Sequence, residues 1–292
     1  MEGILTALAV PFKDGKIAED YLINHVSSLI RDGVHGFFVL GSISQGPLLT
    51  AEERAKVLNI LSEYAGNKYV IVQVGGTDWD TIVATVRDAE RHNVTGIATI
   101  PPIYYKPDYE ALKKYLLKLM ELTSLPIYIY NFPKAVGFDV TPDILERLLK
   151  DGVKVVGIKD SVTDMAEIMG HIVLGIDVFN GIDAVLLSSL IMGAKGGVSG
   201  LSNYVPNLIV GIYNAYKEGD LNKARELQGL VYKIYNIMSK YPFPSAHYSL
   251  VKLLRYDFGT TKEPLIRPLT REEESKLASE LKAIGLNVRN YE

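Results

Sequence analysis

The 292-residue chain contains no cysteine, which excludes disulfides, thiolate metal sites and a cysteine nucleophile. It has no excess of positive charge: 31 Lys and Arg stand against 34 Asp and Glu, a net charge of −3. Such a balance gives no polybasic footprint for nucleic acid or an anionic membrane. No apolar run approaches the roughly 20 residues that cross a bilayer, and Met1-Glu2-Gly3 carries no basic segment ahead of an apolar one. The expectation is a soluble, cytoplasmic protein with neither nucleic-acid nor membrane partners. Gly/Ser- and Pro-rich linkers are missing too, and no Gly-rich dinucleotide fingerprint follows the first apolar run, where Phe12-Lys13-Asp14-Gly15 reads as a plain turn.

What the chain has is core-forming material, 48% hydrophobic residues against 22% charged, distributed with a rhythm. Short runs rich in Val, Ile, Phe and Tyr fall at 4–11, 36–40, 69–74, 96–100, 127–131, 155–160, 177–180 and 196–199. Between them lie segments with helical spacing at 18–32, 51–65, 79–92, 109–123, 142–150, 163–174, 184–192 and 205–218. Thr50 with Glu53 forms a capping box, Thr141-Pro142 a cap followed by proline, and Asp32-Gly33 a stop. Arg271-Glu272-Glu273-Glu274 after Thr270 reads as an acidic first turn. Largely uncharged strands alternating with helices imply a parallel sheet covered on both sides. Eight such units imply closure into a (β/α)8 TIM barrel. Helical patterns at 221–241, 245–258 and 271–284 then form a C-terminal helical appendage, dividing the chain into a barrel domain at 1–219 and a three-helix appendage at 220–292.

Barrel active sites lie at the C-terminal ends of the strands. There Lys159 follows the apolar run Val155-Val156-Gly157-Ile158, so its ammonium is expected to be desolvated. Desolvation lowers a lysine pKa from roughly 10.4 toward about 7–8, freeing the amine to attack a carbonyl. Position alone also fits a lysine paired with a barrel carboxylate or snorkelling at the rim. Tyr130 ends the neighbouring run, placed either to shuttle a proton or to pack in the core with a satisfied hydroxyl. The glycines from Gly196 to Gly200 fit a phosphate cradle and close backbone packing equally well. His25, His35, His92, His171 and His247 fall on helices or helix ends with no HExxH-type pairing, so surface or helix-terminal roles are expected in place of metal binding.

Taken in order, several segments resemble the pyruvate-dependent class I aldolases, a family that includes dihydrodipicolinate synthase, N-acetylneuraminate lyase and archaeal 2-keto-3-deoxygluconate aldolase. They are Gly3 through Phe12, the Gly41 loop, Pro102 with Tyr104, Tyr130-Asn131-Phe132-Pro133, Gly157-Ile158-Lys159-Asp160-Ser161, Gly181 with Asp183, and Gly196 through Asn203. The resemblance covers essentially the whole chain. It implies that Lys159 forms the Schiff base, that Tyr130 transfers protons, and that Tyr104 reaches into the relay of a neighbouring subunit of a homotetramer. It further implies that Ser42 binds the pyruvate carboxylate, that Val198 offers a carbonyl near it, and that Ser44, Ser161, Gly181, Asp183 and Ser245 line the substrate site. No metal and no organic cofactor is implied.

The chain departs from the family at three places. Dihydrodipicolinate synthases carry an arginine where this chain has Ala135, and loss of that guanidinium disfavours a dicarboxylate acceptor. Together with Gln45-Gly46-Pro47, this points first to 2-keto-3-deoxygluconate, cleaved to pyruvate and glyceraldehyde, in its free or phosphorylated form. Dihydrodipicolinate synthase and N-acetylneuraminate lyase are the alternatives. The loop hydroxyl that relays protons is replaced by Ile43, leaving Ser44 through a shifted loop, a water, or a weakened relay. From this departure comes a second class of reading, a non-catalytic oxo-acid-binding barrel. Phe132 removes one further hydroxyl common in the archaeal subgroup.

Overall fold

The computed structural model describes residues 1–289; residues 290–292, the end of the expected appendage, lie outside them. Eight parallel strands close into a barrel: β1 (Gly3–Ala7), β2 (Gly36–Val39), β3 (Tyr69–Gln73), β4 (Gly96–Thr99), β5 (Ile127–Asn131), β6 (Gly157–Asp160), β7 (Asp177–Asn180) and β8 (Gly196–Ser199). β8 pairs back onto β1, with Gly3 opposite Gly196. Four of the strands, β2, β4, β6 and β8, start at a glycine whose Cβ would strike the carbonyl oxygen of the neighbouring chain segment. Only a residue without a side chain permits so close an approach.

The helices are α1 (Glu19–Arg31), α2 (Ala51–Tyr64), α3 (Trp79–Arg91), α4 (Tyr109–Met120), α5 (Pro133–Val136), α6 (Pro142–Lys150), α7 (Met165–Val173), α8 (Leu186–Met192), α9 (Pro206–Lys217), α10 (Leu221–Met238), α11 (Ser245–Leu254) and α12 (Arg271–Ala283). Their termini follow the sequence signals. The Thr50–Glu53 capping box forms, Thr141 caps α6 ahead of Pro142, and α1 stops at Asp32 with Gly33 at φ +86°. Thr270 and Glu273 make a second capping box. Among the described residues no helix is long and apolar enough to cross a membrane.

Three features differ from the sequence expectation. The first apolar run stops pairing at Ala7 and continues into a small antiparallel hairpin, Phe12–Lys13 with Lys16–Ile17, whose Phe12 exchanges backbone hydrogen bonds with Thr260. The four-residue α5 interrupts what reads as a loop, started by Pro133 and ended by Gly137 in the left-handed region. β6 also begins later than its apolar run, because pairing with β5 starts at Gly157, and Val156 is 44% exposed.

The C-terminal helices share one apolar core with the barrel, contributing Val231, Ile234, Leu250, Val251 and Leu277 among others. α10 clasps the loop after β7: the Gln228 amide donates to the carbonyls of Asp183 and Ala184 at 3.0 and 3.1 Å and accepts from Leu187 N. α11 reaches the loop after β2, where the Tyr248 hydroxyl faces the carbonyls of Val10 and Ile43 and accepts from the Gln45 amide at 2.6 Å. The mouth of the barrel is therefore walled by distant sequence.

Candidate active site

Parallel register puts Tyr130 of β5 directly beside Lys159 of β6. Successive side chains of a strand point to opposite faces, so both face the barrel interior while Asn131 and Asp160 face the helices. Both inward residues line a cavity of about 310 Å³ at the mouth, within reach of a small-molecule substrate. Lys159 is 6% exposed and has no ion pair among the described residues. Its Nζ lies 4.1 Å from the Phe38 ring centroid and 3.8 Å from that of Tyr130. Burial pulls its pKa down to about 7, partly opposed by the Asp183 carboxylate. An amine in that range is substantially neutral at physiological pH and nucleophilic. The environment predicted from the apolar run is present, and the paired-lysine alternative is not.

Tyr130 is the complementary case. Burial pushes its pKa up to about 12 despite hydrogen bonds from Ser42 and Ser161, so the phenol is neutral and able to donate. Its ring stacks on Phe132 at 5.9 Å and meets Phe38 edge-on at 5.4 Å. The Ser42 hydroxyl lies 3.2 Å from its oxygen.

That contact corrects the expected reading of the Gly41 loop. The hydroxyl that meets the phenol belongs to Ser42, so the isoleucine at 43 does not remove it. Ser44 is buried and donates to the Leu8 carbonyl at 2.5 Å, which ties it to the strand-one segment and leaves it no part in a relay to Tyr130. The loop is held from below by Arg54 of α2, which donates to the carbonyls of Gly46 and Leu49. Gln45, at φ +58°, is pinned by Tyr248 and by the Lys262 N–H. Leu-like apolar packing replaces a hydroxyl at Ile43, which lines the cavity.

Ser161, Gly181, Asp183 and Val198 also line the cavity. Asp183 is buried and accepts hydrogen bonds from the N–H groups of Gly200 and Leu201 at 3.1 and 3.0 Å. These amides, the best candidates for a phosphate cradle in the glycine segment, already serve a carboxylate. The glycines are explained by packing: a Cβ on Gly196 would strike Gly3, and one on Gly197 would come within 2.8 Å of Leu186.

Three expected site residues are not brought together with the rest. Ser245 begins α11 and donates to the Arg267 carbonyl at 2.6 Å; it does not line the cavity, because the helix turns its hydroxyl toward the following loop. Ala135 is exposed on α5, and its neighbour Lys134 lines the cavity instead, so a cation does stand at this rim. Tyr104 is 85% exposed, at φ +74°, edge-on to Tyr105, and lies outside the cavity of its own chain.

Three of the five histidines do not take the expected surface role, although His171 does sit in the last turn of α7. His25, His171 and His247 are buried. His25 bonds Asn203 and Tyr256, and burial lowers its pKa to about 3. Behind β6, His171 of α7 meets the Asp160 carboxylate at 2.8 Å through Nδ1 and the Val140 carbonyl at 2.9 Å through Nε2. A carbonyl only accepts, so Nε2 carries a proton. Burial works against charge there, but Asp160 outweighs it and raises the His171 pKa. Asp160, Glu167 and His171 cluster closely enough to hold a cation. The Asn131 amide, however, already donates into the group, to Asp139, Asp160 and Glu167 at 2.8, 3.0 and 3.3 Å. The cluster is a hydrogen-bonded strut that fixes the outward side of the lysine-bearing strand. Phe38 and the wall formed by Tyr235, Met238, Phe243 and His247 were not foreseen; inward alternation along β2 marks Phe38, whereas no local pattern marks the others.

Fold and site together define an α/β-barrel enzyme with a desolvated lysine at the mouth. Residues 1–284 match the dihydrodipicolinate synthetase family, to which the chain belongs. It is a lyase of the pyruvate-aldolase type. A 2-dehydro-3-deoxy-phosphogluconate/2-dehydro-3-deoxy-6-phosphogalactonate aldolase of Sulfurisphaera tokodaii is 33% identical over 286 residues, 96% of each chain. A 4-hydroxy-tetrahydrodipicolinate synthase of Methanococcus aeolicus is 29% identical over 293 residues, 98% of this chain and 100% of that one. YagE, a prophage protein of the dihydrodipicolinic acid synthase family from E. coli K12 solved in complex with pyruvate, superposes with a TM-score of 0.92 at 25% identity, covering 98% of this chain and 99% of that one.

Proposed function

We propose that Lys159 forms a Schiff base with pyruvate and that the enzyme cleaves 2-keto-3-deoxygluconate to pyruvate and glyceraldehyde, or runs the reverse condensation. The observation that carries this reading is the buried Lys159 amine, without an ion pair among the described residues, in register with Tyr130, whose phenol meets Ser42 at 3.2 Å. The neutral amine attacks the C2 carbonyl of the keto acid, and the Tyr130 phenol gives its proton to the departing hydroxyl, so that water leaves, a protonated imine forms and Tyr130 is left as the phenolate. In cleavage a proton leaves the C4 hydroxyl for Tyr130, the C3–C4 bond breaks, and its electron pair flows into the imine to give an enamine. The aldehyde departs, the enamine takes a proton at C3, and water hydrolyses the imine to release pyruvate and the free lysine. The iminium is the electron sink, so this chemistry uses no metal or organic cofactor.

The sugar-acid substrate is supported by the Sulfurisphaera tokodaii relative and by the absence of arginine at Ala135. Lys134 at the rim and the Methanococcus aeolicus relative favour a second reading, a synthase that takes a dicarboxylate acceptor. Ala135→Arg should then improve such an acceptor, and a lack of any gain counts against it. Exposed Tyr104 is assigned to the relay of a neighbouring copy in a homotetramer, a role that a fully active monomer in sedimentation would refute.

The deciding experiment is borohydride trapping with pyruvate followed by peptide mass mapping. Modification of Lys159 is expected. A folded protein that traps nothing there overturns the aldolase reading and leaves an oxo-acid-binding barrel in its place.

A further inference from the structure

We infer that His247 recognises a hydroxyl group on the aldehyde half of the substrate, so that it selects a polyhydroxylated acceptor over an alkyl aldehyde of the same length. The inference rests on the aldolase reading of Lys159 and adds a residue for the second substrate.

His247 lies on α11, is 3% exposed, and lines the same cavity as Lys159. Its Nδ1 is buried and has no hydrogen-bond partner among the described residues. A buried polar atom left without a partner is costly, and such groups in native proteins call for an explanation. The neighbouring Tyr204 hydroxyl is in the same condition.

The ring is held in one orientation by what surrounds it. Phe243 meets it edge-on at 5.7 Å and Tyr204 lies at 5.8 Å. Its Cε1 edge sits against Gly200, where an added Cβ would come within 2.9 Å of Cε1 and within 2.8 Å of Ile43 Cδ1. Glycine at 200 and a flat apolar side chain at 43 therefore make the seat for the imidazole, which gives Ile43 a reason that a missing relay hydroxyl does not. Gly200 follows β8 and Ile43 follows β2, the two strands that flank β1. The ring thus belongs to the wall that Tyr235, Met238 and Phe243 of the C-terminal segment raise over the mouth, and not to the strands that carry Lys159 and Tyr130.

Burial lowers the His247 pKa to about 4, so the ring is neutral in the working range. A neutral imidazole carries one donor and one acceptor on different nitrogens; Nδ1 is sealed beside Gly200, which leaves Nε2 to exchange a single hydrogen bond with a hydroxyl, as donor or acceptor according to the tautomer. An anionic group would meet one donor at most and would share the cavity with the Asp183 carboxylate. The arrangement selects a neutral hydroxyl over a phosphate or carboxylate at this end.

The test compares condensation of pyruvate with glyceraldehyde and with propionaldehyde in the wild type, His247→Leu and His247→Asn, with borohydride trapping of pyruvate run on each. His247→Leu is expected to lower kcat/KM for glyceraldehyde about 10- to 100-fold, while leaving propionaldehyde within about twofold and pyruvate trapping unchanged. His247→Asn, which keeps a donor and an acceptor, should retain most of the preference. If the leucine protein does not fold, His247→Phe keeps the aromatic contacts while removing both nitrogens and should show the same selective loss. Equal losses for both aldehydes, or no loss for either, overturn the inference. Failure of the wild type to trap pyruvate at Lys159 is a different result: it refutes the aldolase reading and removes the inference with it.

Discussion

The Nζ of Lys159 stands 3.8 Å over the ring of Tyr130, so the nucleophile and the proton-transfer group are electrostatically linked. In the free enzyme both are neutral, the amine because burial holds its pKa near about 7 and the phenol because burial raises its own to about 12. An iminium on Lys159 places a fixed positive charge against that phenol. A nearby cation favours the phenolate, so Schiff-base formation itself prepares Tyr130 to accept the C4 proton.

The rate of pyruvate trapping should follow the neutral fraction of Lys159. Below pH about 7 it is expected to rise close to tenfold per pH unit, and above that to level off. Single-turnover trapping across the range would show this. A rate that keeps climbing toward the pKa of an ordinary lysine would mean that the amine is not desolvated in solution.

Lys159→Met should abolish activity and stabilise the fold. The folded-state pKa of Lys159 lies near 7, below the unfolded value of about 10.4. The unfolded chain therefore binds the extra proton between these limits, and wild-type stability rises with pH across that window and is lost as pH falls toward 7. The methionine variant escapes this, and an advantage of about 1–4 kcal/mol at pH 6 is expected, shrinking as pH approaches 10. Urea unfolding at both pH values measures it; a variant less stable than wild type at pH 6 contradicts the argument.

Ser42→Ala should lower turnover about 100-fold, the low end for loss of a proton-transfer partner, with pyruvate trapping much less affected. Ile43→Thr should change turnover by no more than about threefold, since the hydroxyl on Tyr130 comes from Ser42. A large gain from Ile43→Thr would restore the idea that the relay is broken at 43.

His171→Leu leaves the buried Asp160 carboxylate without its cationic partner, and a cost of about 3–5 kcal/mol is expected. The folded-state pKa of His171 is raised, so the charge-dependent part of the stabilisation is complete below pH about 6.5 and fades as pH rises through the folded pKa. The gap between wild type and variant should thus be larger at pH 6 than at pH 9 in urea unfolding. An equal gap at both would indicate a neutral histidine.

The sequence by itself determined the barrel, most helix ends and the two central residues. Strand and helix periods, caps and glycine stops act over a few residues, and alternation along β5 and β6 is enough to aim Tyr130 and Lys159 inward together. Tertiary structure alone decided which loop atom meets the phenol and which residues wall the mouth. Ser42 and Tyr130 are 88 residues apart, and whether residue 42 or 43 faces the phenol depends on the turn that Arg54, Gln45 and Tyr248 impose. His247 and Ser245 are two residues apart on α11, a spacing that places them on different sides of a helix. Nothing local tells which side docks against Gly200, so His247 entered the cavity and Ser245 was turned toward Arg267. That His171, read as a surface or helix-terminal position, is buried was hidden for the same reason, because the carboxylate that holds it inside is supplied by a different element, the outward face of β6.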